Sequence, residues 1–186
     1  MLMNGSFARG RSAGFSMIEV LVSLLIIVVG VLGMVALQSK AIPYTQDSVQ
    51  RNTAIMLVDD LVEIIRSAPA DCTTGNSCLK APGASFPSPA SDCTPSPSAL
   101  SEQIGCWASR AGTMLPGADS LLDSDSFYIC KTPTPGDVSA CTTSSATNAD
   151  LEIQVAWKVK NAADCMTGSS LTTPGTCTYR LRTRIK

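Results

Sequence analysis

The residues of this chain best equipped for chemistry are eight cysteines: Cys72, Cys78, Cys93, Cys106, Cys130, Cys141, Cys165 and Cys177. Histidine is absent. That removes the usual general base, the commonest metal ligand and the Ser/His and Cys/His nucleophilic pairings. No two cysteines form a Cys-x-x-Cys, so a zinc site does not fit their spacing. Carboxylates could run acid–base catalysis alone, but no paired-carboxylate motif stands out. No catalytic residue, metal or cofactor is therefore expected, and the chain does not read as an enzyme. The chemistry that remains is thiol oxidation. An even cysteine count in a short, loop-rich region points to disulfides and an oxidising compartment. Eight cysteines allow 105 pairings. Joining nearest neighbours gives Cys72–Cys78, Cys93–Cys106, Cys130–Cys141 and Cys165–Cys177. Each closed loop of about 15 residues or fewer would contribute roughly 2–3 kcal/mol in the chain-entropy picture.

The second chemical feature is one carboxylate. Glu19 stands at the lip of residues 20–37, which are apolar except for Ser23, Gly30 and Gly33. A charged side chain at the centre of a bilayer costs roughly 2.5–3.5 kcal/mol. A chain that accepts such a cost needs a partner for the charge. Taken alone, Glu19 could equally snorkel to the interface and favour a helix N-terminus.

The elements that must hold these groups follow from composition. Residues 1–14 are small and polar, carry Arg9 and Arg11 and no acid, and read as a leader. Residues 20–37, at about 1.5 Å each, make a helix of about 27 Å, close to a hydrocarbon thickness of about 30 Å. Lys40 and Tyr44 suit the far interface, and the two arginines place the N-terminus in the cytoplasm. The cysteines independently require that the C-terminal part be exported. From residue 45 to 68 apolar positions recur at helical spacing: Val49, Thr53, Met56, Leu57, Leu61, Ile64 and Ile65. Asp47 and Arg51 lie four apart in the favourable order. Pro43 would kink a continuous helix or separate two, and Pro69 marks the stop.

Residues 69–126 are rich in turn signals, with a short helix over 100–107. Residues 127–130 read as a buried strand. Residues 151–160 and 177–186 alternate apolar and polar, which predicts strands with one packed face and one wet face. Arg180, Arg182, Arg184 and Lys186, with Lys158 and Lys160, would then line a basic strand face. A solvated face is the favoured reading. No regularly interleaved aromatics support stacking on bases, and the net charge of −1 does not suggest a nucleic-acid binder.

Gly14-Phe15-Ser16-Met17-Ile18-Glu19, after a short basic leader and before an apolar helix, resembles the signal of type IV prepilins and type II secretion pseudopilins. The likeness is close through the long helix and holds only in outline beyond it. It implies cleavage between Gly14 and Phe15 by a prepilin peptidase in the inner membrane, and methylation of the new amine of Phe15. It implies that Glu19 attracts the amino terminus of a neighbouring subunit during assembly. The implied partners are other minor pilins, the major pilin and, at a filament tip, an adhesin. Major pilins usually carry a proline inside the apolar helix. Here the first is Pro43, and Gly30 and Gly33 would supply flexibility instead.

The expected fold class is α+β: a long N-terminal helix, membrane-spanning in its first half, packed on a small antiparallel sheet with disulfide-bearing loops. The expected divisions are a leader (1–14), a long helix (15–68, with 20–37 transmembrane) and an exported globular domain (69–186). Two other readings compete with a filament subunit of the pilus: a pseudopilin of type II secretion, and a secreted or anchored binding module such as an adhesin or DNA-uptake receptor. An ordinary signal peptide cut after Ser39-Lys40-Ala41 would leave Ile42 first, but 18 apolar residues exceed the usual 7–15.

Overall fold

The computed structural model describes residues 14–73, 77–94, 96–143, 150–160, 165 and 175–184, with only the backbone at Lys40, Asp71 and Thr73. The leader with Arg9 and Arg11, most of the 161–176 connection, Ile185 and Lys186 lie outside the described residues. The element order is α1 (Met17–Ser67), α2 (Pro69–Thr73), α3 (Leu100–Met114), β1 (Tyr128–Thr132), β2 (Asp150–Lys158) and β3 (Thr176–Thr183). Short 3-10 turns occur at Asp119–Leu121 and Val138–Ala140. The chain divides into two compact units, Met1–Ile42 and Pro43–Lys186.

In the first unit, α1 exposes its large apolar side chains all round, among them Val20, Leu24, Ile27, Val31 and Val35. Mean hydropathy reaches 3.1 over an 18-residue window, so the helix is long and apolar enough to cross a membrane. A helix satisfies its own backbone groups, which is the requirement for any segment in hydrocarbon. Its two hydroxyls follow suit: Ser23 Oγ donates to the Glu19 carbonyl, and Ser39 Oγ to the Ala36 carbonyl at 2.8 Å.

In the second unit, α1 buries Ala54, Leu57, Val58, Leu61, Val62 and Ile65. Those intervals of three and one keep a single helix face inward. They join Ile104, Trp107 and Ala111 of α3 and Ile153, Val155 and Trp157 of β2 in one core. Removing the Leu61 side chain down to alanine would cost about 2–5 kcal/mol on this account. Trp107 Nε1 donates to the Leu57 carbonyl at 2.7 Å, tying α3 to α1. The helix does not break at Pro43, which lies inside α1. It ends at Ser67, and Pro69 opens α2, where a missing N–H costs nothing.

The sheet has three antiparallel strands in the order β1-β2-β3, and the whole is α+β with four disulfides. Two expectations need correcting. The helix expected over 100–107 runs on to Met114. Gly105 disguises its continuity: the Pro87 and Ser88 carbonyl oxygens lie 2.7 and 2.6 Å from where a Cβ would stand. Glycine is there for a crossing strand of chain, and the apolar face of the helix continues through Ala108 and Ala111. The second correction concerns β2. Its alternation does not mark a wet face, because Glu152 and Gln154 are as buried as Ile153 and Val155.

Candidate functional site

The expected processing and assembly residues sit together at the start of α1. Gly14, Phe15 and Ser16 precede the helix, and Glu19 lies in its first turn. The amides of Glu19 and Val20 both donate to the Ser16 carbonyl, at 3.0 and 3.3 Å, and this sets the helix going. A carboxylate in that turn is favoured by the helix dipole. Phe15 is 84% exposed and Met17 86%. Among the described residues nothing lies within 4 Å of a Cβ built on Gly14. Among the described residues the Glu19 carboxylate has no hydrogen bond or ion pair.

The cysteines are joined as Cys72–Cys78, Cys93–Cys106, Cys130–Cys141 and Cys165–Cys177, with Cα separations of 5.3, 5.8, 5.5 and 5.6 Å. These separations fall in the ordinary range for a bridge. Cys72, Cys78, Cys130 and Cys177 are buried, so three of the bridges anchor a loop to the interior. Among the described residues no group of three Cys, Asp or Glu side chains gathers as a metal site would require.

The sequence concealed a buried polar layer on the sheet. Glu152 accepts from the Tyr128 hydroxyl at 2.7 Å and from the Gly136 amide at 3.0 Å. Arg180 and Arg182 approach its two oxygens at 3.8 and 3.6 Å. Gln154 accepts from Arg180 Nε at 2.9 Å and donates to the Ser126 carbonyl at 3.0 Å. The strand register explains this layer, since Glu152 faces Arg182 and Gln154 faces Arg180. Complementary charge on two alternating strands was the signal available in the sequence. Arg184 and Arg182 also reach Asp150, at 3.1 and 3.6 Å. The arginines of the basic strand face are thus committed to carboxylates of the neighbouring strand.

Among the described residues three groups titrate away from their ordinary range. Burial pushes the Tyr128 hydroxyl up, and its hydrogen bond to Glu152 and the charge of Glu152 push the same way against a smaller effect of Arg180. Burial pulls the Lys80 amine down to about 8, with Asp123 and Asp125 opposing. That amine donates to the Phe127 carbonyl at 2.6 Å and lies 5.0 Å from the Phe86 ring centre. Hydrogen bonds from the Ser139 side chain and then its amide lower the Asp137 carboxyl, which caps the turn beside Gly136.

A family described as the prokaryotic N-terminal methylation motif matches residues 9–35. The matched segment contains Gly14, Phe15 and Glu19 and most of the apolar stretch. It supports a type IV pilin-like or pseudopilin protein, a structural class, and with the apolar helix it fits a membrane-anchored precursor. No curated protein and no solved structure matches the chain.

Proposed function

We propose that this chain is a minor pilin, an assembly subunit that helps prime a type IV pilus and is incorporated near its tip. The observation that carries the reading is Glu19. Among the described residues its carboxylate has no partner, and it stands at the head of an exposed apolar helix, directly behind Gly14-Phe15 and inside the matched motif. A charge so placed needs a complement from another molecule. The new amine of Phe15 on a neighbouring subunit has the right sign and the right depth. In low dielectric such a pair is strong in Coulombic terms and poor as a net stabiliser, but it specifies register.

On this reading residues 1–14 are the leader removed by the prepilin peptidase, which also methylates Phe15. Residues 15–68 are the long helix, with 20–37 in the inner membrane before assembly. Residues 69–186 form the domain held on the periplasmic side and then displayed on the extracellular filament. Partners are the other minor pilins, the major pilin and a tip adhesin. The run from Ser23 to Gln38 resembles the minor pilin called PilV, the type IV pilus modification protein, while the leader and helix fit a type II secretion pseudopilin as well. Four disulfides in the exported part lean toward the pilus. Glu19→Ala tests the proposal. The variant should insert in the inner membrane at normal levels, yet its recovery in sheared pili should fall at least about tenfold, the equivalent of 1.4 kcal/mol. Recovery at the wild-type level would remove Glu19 from the assembly role.

A further inference from the structure

We propose that Cys93–Cys106 is a thiol-exchange site, open in the native fold to a low-molecular-weight thiol such as glutathione. Three features of this bridge set it apart. Cys93 is exposed and Cys106 half-buried, whereas each other bridge has at least one fully buried cysteine. Cys93 and Cys106 both line a cleft of ≈ 400 Å³ with Ile64, Gln103, Trp107 and Arg110, which is within the size range of small-molecule sites. Arg110 follows Cys106 by four residues on α3, so both present to the same helix face.

These features assign the steps. The thiolate of the small thiol attacks Cys93 Sγ, the more accessible sulfur. The Cys93–Cys106 bond breaks, a mixed disulfide forms on Cys93, and Cys106 leaves as a thiolate. A second thiol then attacks the mixed disulfide and departs as the oxidised dimer. Two electrons have passed to the protein, and each cysteine takes up one proton. Exchange is faster when the departing sulfur has a low pKa. A thiolate released into an apolar interior is disfavoured, whereas one beside a guanidinium is favoured. Cys177 is fully buried in the hydrophobic core and would have to leave there, and Cys130, fully buried across from Glu152, would leave beside that carboxylate and away from solvent. Cys106 would leave into a solvated cleft beside Arg110. Neither Cys93 nor Cys106 is fully buried, so on this proposal the bond opens without unfolding the domain. Arg110 is a positioning residue here: it lines the cleft and is anchored by an ion pair to Asp60 at 2.7 Å.

The test uses the full chain in detergent, treated with reduced glutathione and quenched by rapid alkylation with excess N-ethylmaleimide at neutral pH. Tandem mass spectrometry then locates each adduct. Glutathione should appear on Cys93 and the alkyl group on Cys106, at least about tenfold ahead of modification at the other six cysteines. Arg110→Gln should slow this step about three- to tenfold, and Arg110→Lys should restore it. First modification at another bridge, or simultaneous opening of all four, overturns the proposal. An unchanged rate in Arg110→Gln overturns the role given to Arg110.

Discussion

Replacing Glu152 by alanine should destabilise the domain far more than replacing its neighbour Asp150. Glu152 is 0% exposed, and its removal strips a hydrogen-bond partner from the Tyr128 hydroxyl and the Gly136 amide and a counter-charge from Arg180 and Arg182. Breaking a buried charge pair from one side costs about 3–5 kcal/mol. The two arginine side chains keep 26% and 27% of their surface in solvent, so they rehydrate in part and the low end applies. A loss of about 3 kcal/mol lowers the melting temperature by roughly 9–12 °C in a domain of this size. Asp150 is a third exposed and bonded to the same Arg182, and its pair belongs with surface ion pairs worth below about 1 kcal/mol. Thermal unfolding of the full chain in detergent, followed by near-UV circular dichroism with disulfides intact, measures both. Equal shifts for Glu152→Ala and Asp150→Ala would refute the reasoning, because it rests on the burial of Glu152 and on its bonds to Tyr128 and Gly136.

The pH dependence offers a second check. The Lys80 amine titrates at about 8 in the fold against an ordinary 10.5. Between those values the unfolded chain holds a proton that the folded chain has released, so this group makes stability rise with pH from about 8 to 10.5. Tyr128 acts in reverse above about 10, where the fold keeps a proton that the unfolded chain loses. Denaturant midpoints from pH 7 to 10 should therefore rise more steeply in the wild type than in Lys80→Met, and equal slopes would contradict this origin. Gly105→Ala should cost about 1–3 kcal/mol by forcing Pro87 and Ser88 away from α3, read as a lower denaturant midpoint; an unchanged midpoint would mean that the crossing chain yields freely.

Much of the architecture could be read from residue patterns. The apolar stretch 20–37 followed by Leu57, Leu61 and Ile65 at helical intervals specifies one long helix with two characters. Alternation specifies β2 and β3. What alternation could not reveal is what covers the polar side. Glu152 and Gln154 look solvated until the register sets Arg182 and Arg180 across from them, and register is a long-range property of two strands far apart in sequence. Gly105 hid the length of α3 for a similar reason, since its cause is a loop some 17 residues earlier. The candidate site was the more legible part. Gly14, Phe15 and Glu19 form a local string whose meaning does not depend on the rest of the fold.

That string also permits the most direct test of the account. Edman sequencing and intact mass of the protein purified from membranes should give a chain beginning at N-methylated Phe15, with residues 1–14 gone. A mature chain that begins at Ile42, or one that retains the leader when the peptidase is active, would contradict it.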